Sequence, residues 1–335
     1  MSVKARTEGT KLAIVGAGMT GAYLFRLLKN EGCEVDIFDR DHATRCGLNP
    51  CAWGTSAGFI NLVKQAGLEA EKYILRRQDY VLMDDVRLKA ELMTFDKPQL
   101  VKDLLQDAEI HFTPLPHGQY ERVIDATGVS RALLPPIEDE VILECRQYLV
   151  ETSESLKNRI KLGGIGYTWC FPLDRNLYHI GCGSLLADPH RILKDLGWLE
   201  NASPAHEKKI LCGCKGRIRL TGPHQCQPFV TDGFGEGIWG VGEAIGCVAP
   251  LAGDGVVPGM RCVQLLLNTW DNPQEYKNAV LDEFRWMKDE RGVIDKLRTA
   301  RGIGVREARV LKRNSKRMKM QVGLREAVAL LKNLR

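Results

Sequence analysis

The sequence predicts an α/β fold with an α+β insert, in which a domain of parallel strands is interrupted by an antiparallel sheet and followed by helices. Three observations support this prediction. Apolar strands run into glycine-bearing turns at three separated places, strands of alternating pattern dominate residues 136–224, and residues 273–335 are helical and basic. The predicted parts are residues 1–135 and 225–272 for the first domain, 136–224 for the inserted sheet, and 273–335 for the C-terminal region.

The first of these turns belongs to a complete strand–helix–strand unit. An apolar strand over residues 12–15 ends at Gly16, and Gly16, Gly18 and Gly21 have the spacing G-x-G-x-x-G. These glycines permit a tight turn, the approach of a pyrophosphate, and close packing of helix on strand. Asp39, which follows the second strand, is placed to bind a ribose hydroxyl, so the unit predicts a Rossmann-like dinucleotide-binding domain. The residues predicted to contact the dinucleotide here are Gly16, Gly18, Met19, Thr20, Gly21, Asp39 and Arg40.

The other two strand-to-glycine turns extend this binding site. They lie at residues 123–128 (VIDATG) and 240–246 (GVGEAIG), and the carboxyl ends of strands in a doubly wound sheet line one crevice. A ligand that contacts all three turns is longer than one nucleotide, which favours extended FAD. The helix that opens near Gly253 would direct its N-terminus at the pyrimidine edge of the flavin. The further residues predicted to bind FAD are Ala126, Gly128, Gly242, Glu243, Gly253, Asp254, Gly255 and Val256.

The pattern of apolar, glycine and proline residues predicts the remaining elements in the first part of the chain. A long loop is predicted from Arg40 to Ser56, a helix over residues 59–78, and paired strands over residues 80–95. Proline near a first helical turn and leucines on one face predict another helix over residues 97–107.

Composition limits the class of protein. No apolar run reaches the roughly 18 residues of a membrane span, and the N-terminus lacks the apolar core of a signal peptide, so we expect a cytoplasmic protein. Eleven cysteines at irregular spacing predict reduced thiols rather than a disulfide framework. Cys212 and Cys214 have no second pair at metal-ligand spacing, so no metal site is predicted.

The C-terminal region concentrates the positive charge, although the net charge of the whole chain is only +5. Between residues 305 and 334, apolar residues are interleaved with basic ones. The pattern allows peripheral contact with an anionic membrane or docking of an acidic ferredoxin, but helices packed on their own domain are favoured. Nucleic-acid binding is not predicted, since no recognition fold accompanies the charge.

Four motifs together resemble a known family. They are the glycine fingerprint, Arg45-Cys46-Gly47, the ATG turn, and Tyr167-x-Trp169-x-Phe171-Pro172 followed by Gly181-x-Gly183. This arrangement resembles flavoproteins of the p-hydroxybenzoate hydroxylase type, in particular the archaeal geranylgeranyl reductases, over most of the chain from Lys11 to about Trp270. The resemblance implies that Arg45, Cys46 and Gly47 lie beside the isoalloxazine of FAD. It implies a substrate site formed by Tyr167, Trp169, Phe171, Pro172, Gly181 and Gly183.

The resemblance also implies an activity, namely reduction of carbon–carbon double bonds in an isoprenoid lipid, with Cys46, Tyr167 and Trp169 as catalytic residues. Cys46 would act as a proton donor or as redox partner of a second cysteine, Cys51 or Cys262. Since no second glycine fingerprint is present, the flavin would be reduced by a transient donor: NAD(P)H, a reduced deazaflavin or a ferredoxin.

Alternatives remain at this point. The period-two spacing of Tyr167, Trp169 and Phe171 places three rings on one face of a strand, where they either face a long apolar substrate or fill a core. A flavin-dependent hydroxylase is one alternative function, although Thr127 stands where such hydroxylases have Asp. A non-enzymatic carrier of electrons or lipid at a membrane surface is the other.

Overall fold

The computed structural model describes residues 11–40, 51–56, 58–84, 86–116, 118–201 and 207–334. These residues form two sheets and a set of helices, of which the last four helices lie together at the C-terminal end. The strands are β1 Leu12–Val15, β2 Val35–Phe38, β3 Gly54–Ser56, β4 Ile74–Met83, β5 Val86–Phe95, β6 Ile110–His111, β7 Arg122–Asp125, β8 Ile142–Thr152, β9 Arg159–Leu162, β10 Tyr167–Pro172, β11 Leu177–Ser184, β12 Lys208–Arg219, β13 Val230–Thr231 and β14 Ile238–Gly240. The α-helices are α1 Met19–Asn30, α2 Gly58–Gln65, α3 Lys97–Leu104, α4 Pro189–Asp195, α5 Val256–Asn268, α6 Pro273–Glu283, α7 Arg285–Arg298, α8 Val305–Ser315 and α9 Leu324–Asn333.

The first sheet has the strand order β13-β14-β7-β1-β2-β6, with β1 central and parallel to both of its neighbours. All three strands that carry the predicted glycine turns, β1, β7 and β14, are adjacent in this sheet. Their side chains are buried because helices cover both faces of a parallel sheet, which is why the strands read as continuous apolar runs. The predicted α/β fold class is confirmed.

The second sheet has eight strands in the order β12-β8-β11-β10-β9-β4-β5-β3. It is antiparallel except where β4 runs parallel to β9. Strands β3, β4 and β5 come from residues before 135, so the larger sheet also draws on the segment that the sequence assigned to the first domain. The predicted domain boundaries stay a prediction.

The helix predicted over residues 59–78 is wrong in its second half. Helix α2 ends at Gln65, Gly67 follows with φ +77°, and β4 already begins at Ile74. A glycine in the left-handed region ends a helix readily because it has no Cβ to clash. The predicted loop from Arg40 to Ser56 also needs correction, since residues 54–56 form β3 against β5.

The C-terminal helices pack on one face of the eight-stranded sheet. One core cluster contains Trp169 of β10 together with Val293 of α7, Ala308 of α8 and Leu330 of α9. The apolar residues that alternate with basic ones in this region are therefore mostly covered by the protein itself, as the favoured alternative predicted. A smaller cluster on the opposite face includes Cys170 and Leu193, which belong to β10 and α4.

Candidate functional site

A cavity of about 1210 Å³ joins the turns of the first sheet to the aromatic face of the second. Its walls come from the turns after β1, β7 and β14, from the start of α5, from strands β4, β5 and β8–β10, and from the C-terminal helices. The cavity therefore lies where parallel strands end, which is the usual position of a ligand in a doubly wound fold.

The glycine fingerprint forms one end of the cavity. Gly16 has φ +108°, and a Cβ there would lie 2.4 Å from the carbonyl oxygen of Ala126. Gly21 packs the helix on the strand, because its Cβ would lie 1.8 Å from the carbonyl oxygen of Gly16. A Cβ on Gly18, by contrast, would meet nothing within 4 Å, and Gly18 lines the cavity. Gly16 and Gly21 thus have the turn and packing roles that their spacing predicts, and Gly18 leaves open space toward the cavity.

The acid after β2 is held by the same turn. The backbone N–H of Ala17 donates to Oδ2 of Asp39 at 3.1 Å, and that of Arg40 donates to Oδ1 at 2.8 Å. Both Asp39 and Arg40 line the cavity. An oriented carboxylate at this distance from the glycines suits a ribose hydroxyl.

The turn after β7 is organised by Asp125, a residue whose role the sequence did not reveal. Its side chain is fully buried and accepts hydrogen bonds from the backbone N–H groups of Thr127 (3.0 Å), Leu133 (2.9 Å) and Leu134 (3.2 Å). The Thr127 hydroxyl donates to it as well, at 2.6 Å. These bonds fix the turn whose Ala126–Gly128 backbone borders the cavity.

The turn after β14 contributes Glu243, which is fixed by Arg219 of β12. The backbone N–H of Arg219 donates to Oε1 of Glu243 at 2.8 Å, and its guanidinium donates to the Glu243 carbonyl at 3.1 Å. Burial raises the pKa of Glu243. The other carboxyl oxygen lies 3.5 Å from the position of a Cβ on Gly128, so the second and third turns meet at this side chain.

The segment before α5 joins the nucleotide end of the cavity to the aromatic strand. Asp254 accepts a hydrogen bond from the Val256 N–H at 3.0 Å, at the start of α5, and burial raises its pKa to about 6. The Tyr167 hydroxyl donates to the Ala252 carbonyl at 2.5 Å. Gly253, with φ +65°, is needed here because its Cβ would lie 2.6 Å from that hydroxyl.

The aromatic wall is completed by glycines on the neighbouring strand. Tyr167 pairs with Gly183 and Trp169 pairs with Gly181 across β10 and β11. A Cβ on Gly181 would lie 2.3 Å from the Trp169 ring, so this glycine makes room for the indole. Ring centroids of Tyr167 and Trp169 are 5.7 Å apart, and those of Trp169 and Phe171 are 6.5 Å apart. The Tyr–Trp–Phe–Pro residues line the cavity, whereas Gly181 lies beneath the Trp169 ring and Gly183 faces Leu143 and Cys145.

Three buried polar atoms in this wall have no hydrogen-bond partner among the residues that the structure describes: Trp169 Nε1, Gln147 Oε1 and Thr55 Oγ1. All three residues line the cavity and are at most 7% exposed. Gln147 pairs with Gly181, so it stands in the same cross-strand row as Trp169. Buried polar groups are normally paired, so these atoms indicate that the cavity holds a ligand or water with polar atoms.

The cavity also contains acids and cations that the sequence did not single out. Glu290 of α7 is 4% exposed and accepts from the Leu251 N–H at 3.0 Å and from Asn314 Nδ2 at 3.1 Å. Burial raises the pKa of Glu290 to about 7. Lys97 at the start of α3 is 7% exposed and also lines the cavity. No residue spacing connects these positions to the glycine turns, so only the fold identifies them.

Most predicted site residues meet in this cavity. Those that line it are Gly16, Gly18, Met19, Thr20, Asp39, Arg40, Ala126, Gly128, Glu243, Gly253, Asp254, Gly255, Val256, Tyr167, Trp169, Phe171 and Pro172. Gly21, Gly181, Gly183 and Gly242 do not line it but lie behind it, and a Cβ on Gly242 would lie 2.8 Å from the Thr20 side chain.

The predicted cysteine site is described only in part. Arg45, Cys46 and Gly47 lie outside the described residues. Of the two proposed partners of Cys46, Cys51 lines the cavity. Cys262 is fully buried in α5, where its thiol accepts from the Gly242 N–H at 3.4 Å and contacts the Tyr276 hydroxyl at 3.3 Å.

The residues present fit FAD. The cavity is continuous from the open face of Gly18 to the start of α5, so it accommodates a ligand longer than one nucleotide. The Val256 N–H at the start of α5 is bonded to Asp254, and the first turn of the helix contains no acidic side chain. The positive end of the helix dipole at this position favours the electron-rich edge of a ring.

Comparison with known proteins agrees with this class of fold. A family profile described as an NAD(P)-binding Rossmann-like domain matches residues 14–49. Two solved structures share the fold: the geranylgeranyl bacteriochlorophyll reductase-like protein of Thermoplasma acidophilum (TM-score 0.65, 16% identity, 96% of this chain and 90% of that chain) and the flavin-dependent halogenase CmlS (TM-score 0.60, 14% identity, 90% of this chain and 67% of that chain). The chain therefore has the fold of flavin-dependent enzymes.

A more specific relative is found by sequence. Digeranylgeranylglycerophospholipid reductase 1 of Methanopyrus kandleri is 26% identical to this chain, with 75% of this chain and 77% of that protein covered. The predicted resemblance to geranylgeranyl reductases is confirmed. Among the helices in the described ranges, none is long and apolar enough to cross a membrane.

Proposed function

We propose that the protein is an FAD-dependent oxidoreductase that reduces carbon–carbon double bonds of geranylgeranyl chains in lipids. The observation that best supports this is the continuity of the cavity, which runs from a dinucleotide-type turn to a wall of aromatic rings. A binding site for a nucleotide that opens directly onto an apolar wall suits a redox cofactor and a long apolar substrate.

FAD, when bound, would supply the hydride for the double bond. The fingerprint turn would hold its pyrophosphate, Asp39 its ribose, and Glu243 a hydroxyl of its ribityl chain. Residues 253–256 would hold the flavin end through the N-terminus of α5. Lys97, which lowers the pKa of Glu243 against the effect of burial, is a further cation at the nucleotide end.

The aromatic strand would bind and orient the prenyl chain. Trp169 is 5% exposed, and the Phe171 ring packs against Gly54 of β3. Such rings exclude water from the reacting bond, which keeps a hydride from being lost to solvent. The Tyr167 hydroxyl is engaged with the Ala252 carbonyl, and burial raises its pKa above the usual range. We therefore assign Tyr167 to positioning of the segment before α5.

The proton that follows the hydride would come from Cys46, or Cys46 would act as a redox partner of Cys51. Cys46→Ala is expected to retain the yellow colour of bound FAD while losing turnover by about a hundredfold or more, the usual cost of removing a general acid. Steady-state rates and flavin absorbance measure both effects. Cys212→Ala is the matched control, because Cys212 does not line the cavity. Full activity of Cys46→Ala would remove this thiol from the mechanism.

The proposed reduction is tested with photoreduced protein under anaerobic conditions. A phospholipid with geranylgeranyl chains is added, and the flavin spectrum and lipid mass are recorded. Reoxidation of the flavin with a gain of two hydrogens in the lipid supports the proposal. Reoxidation by oxygen alone with a hydroxylated product supports a flavin hydroxylase instead. No reaction under either condition supports a carrier of electrons or lipid.

Electrons would reach the flavin from a transient donor, for which NAD(P)H, a reduced deazaflavin and an acidic ferredoxin are the candidates. We place the protein in the cytoplasm, with peripheral membrane contact through exposed basic residues such as Arg306, Arg309 and Lys312. Co-sedimentation with anionic vesicles that is lost at high salt would support this contact, because salt screens exposed charges. Co-sedimentation that persists at high salt, or is absent, would contradict it.

A further inference from the structure

One part of the cavity is bounded by apolar side chains of the eight-stranded sheet and of the chain end. We name it the apolar lobe. Its walls are Met83, Leu92, Ile160 and Leu162 on the sheet and Met318, Met320, Val322, Leu330, Leu331 and Leu334 on the C-terminal region. Within the described ranges, the lining residues that β4, β5, β9 and residues 318–334 contribute include no charged side chain.

The lobe begins at the aromatic wall. Trp169 pairs with Ile160 of β9, and Ile160 pairs with Met83 of β4, so these three side chains form one row across the sheet. With neighbouring strands about 4.8 Å apart, this row extends roughly 10 Å from Trp169. A chain that contacts Trp169 can therefore continue over Ile160 and Met83 without leaving apolar surface.

Leucines of helix α9 belong to the same core cluster as this row. Leu330 and Leu331 are 2% and 1% exposed, and both line the cavity. The helix is one of the last elements of the chain, and the family motifs do not reach it. Its side chains nevertheless border the same cavity as Trp169.

The position of α9 is fixed at its C-terminal end by two bonds to turns of the sheet. The backbone N–H of Ile165 donates to the Leu334 carbonyl at 2.8 Å, and Asn333 Nδ2 donates to Asp84 Oδ2 at 3.0 Å. Ile165 has φ +49°, which is rare for a β-branched residue. These two bonds anchor the C-terminal end of α9 to the sheet.

We propose that the apolar lobe receives the end of the prenyl chain and that α9, through Leu330 and Leu331, limits the chain length that the protein accepts. This inference rests on the proposed function for its ligand class, a linear isoprenoid chain. Its test does not depend on turnover, because selectivity for chain length is measured as the affinity of the protein for prenyl chains of different length. Leu331→Trp would shorten the lobe, and Leu331→Ala would extend it.

The test is binding of all-trans prenyl alcohols of two, three, four and five isoprene units to the oxidised FAD-loaded protein, followed by flavin or tryptophan fluorescence. Leu331→Trp is expected to weaken binding of the four-unit alcohol by about tenfold or more and to leave the two-unit alcohol unchanged, since a lost or blocked methylene site costs about that much. Leu331→Ala is expected to gain affinity for the five-unit alcohol relative to wild type.

The matched control is Leu324→Trp, on the same helix, because Leu324 is 37% exposed and does not line the cavity. It should leave every chain length unchanged. If Leu331→Trp does not fold, Leu331→Ala decides through its opposite shift. Equal effects on all lengths, or no binding of any prenyl alcohol by wild type, would overturn the inference. Binding that depends on chain length, without reduction of the bound prenyl chain, would instead contradict the proposed function and support the role of the apolar lobe.

Discussion

The two sheets line the same cavity with different parts of the chain. The turns of the six-stranded sheet contribute backbone, and the shape of the first turn depends on the absence of a Cβ at Gly16 and Gly21. The eight-stranded sheet contributes side chains, namely the rings of β10 and residues such as Gln147 from other strands. A backbone site has a short sequence signature, whereas a side-chain site is assembled from distant segments. This difference determines which residues of the cavity could be predicted from the sequence before the fold was known.

The largest effect that distinguishes the two sheets is expected from substitutions at two glycines of the fingerprint, Gly21 and Gly18. Gly21→Ala is expected to destabilise the fold by about 3 kcal/mol or more, because the new Cβ would lie 1.8 Å from a backbone oxygen that cannot move aside. Gly18→Ala should cost less than about 1 kcal/mol, since its Cβ has space. Urea unfolding measures both.

The same pair separates folding from cofactor binding. The Cβ of Gly18→Ala projects into the space where a pyrophosphate would lie, so the folded variant is expected to retain FAD at least about tenfold less tightly. Flavin absorbance after gel filtration measures retention. A Gly18→Ala protein that is as yellow as wild type would contradict the placement of the dinucleotide, and a stable Gly21→Ala would contradict the packing of α1 on β1.

The burial of side chains that line the cavity is tested by the pH dependence of stability that Glu290 causes. Its pKa is about 7 in the folded protein against an ordinary value of 4.5, because burial disfavours the carboxylate. The folded protein therefore holds this proton more tightly than the unfolded chain does. The stabilisation it provides is complete below pH 4.5 and is lost as the pH rises to about 7, by about 3 kcal/mol.

Replacing the acid removes its contribution to this dependence. Glu290→Gln is expected to make the unfolding free energy fall less steeply with pH over this interval, because the amide does not titrate, and the slope that remains includes Asp254, whose pKa burial raises to about 6. Chemical unfolding at several pH values compares the two slopes. A wild-type slope that matches that of Glu290→Gln would show that the carboxyl is solvated and that the cavity is wetter at α7 than its 4% exposure indicates.

The extent of prediction follows the same division. The strand, turn and helix from Leu12 to Asn30 were predicted because every residue there obeys local rules, and the structure reproduces them. The strand at Ile74 was missed because its apolar residues also fit a helical period, and only pairing with β5 and β9 decides between the two.

Within the site, the residues of the motifs were predicted and their partners were not. The roles of Gln147 and Glu290 depend on what lies across the cavity, and no spacing in the chain encodes that. Asp125 instead binds backbone N–H groups of its own turn. The C-terminal residues were expected to pack on the protein, but their contact with the cavity could not be foreseen. Helix α9 reaches it through bonds to Asp84 and Ile165, which are far away in sequence.

The smallest expected effect concerns Tyr167, where the two sheets are joined. Tyr167→Phe removes one hydrogen bond, from the hydroxyl to the Ala252 carbonyl, and keeps the ring against Trp169. We expect a loss of about 1 kcal/mol in unfolding free energy.

If Tyr167 only positions the segment before α5, turnover should fall by less than about tenfold and the pH dependence of kcat should be unchanged. If the hydroxyl gave the proton to the substrate, turnover would fall by about a hundredfold or more, as for removal of any general acid. The ratio of kcat in Tyr167→Phe to that in Cys46→Ala therefore decides which of the two residues donates the proton to the substrate. A Tyr167→Phe protein as inactive as Cys46→Ala would assign that role to Tyr167, on the eight-stranded sheet.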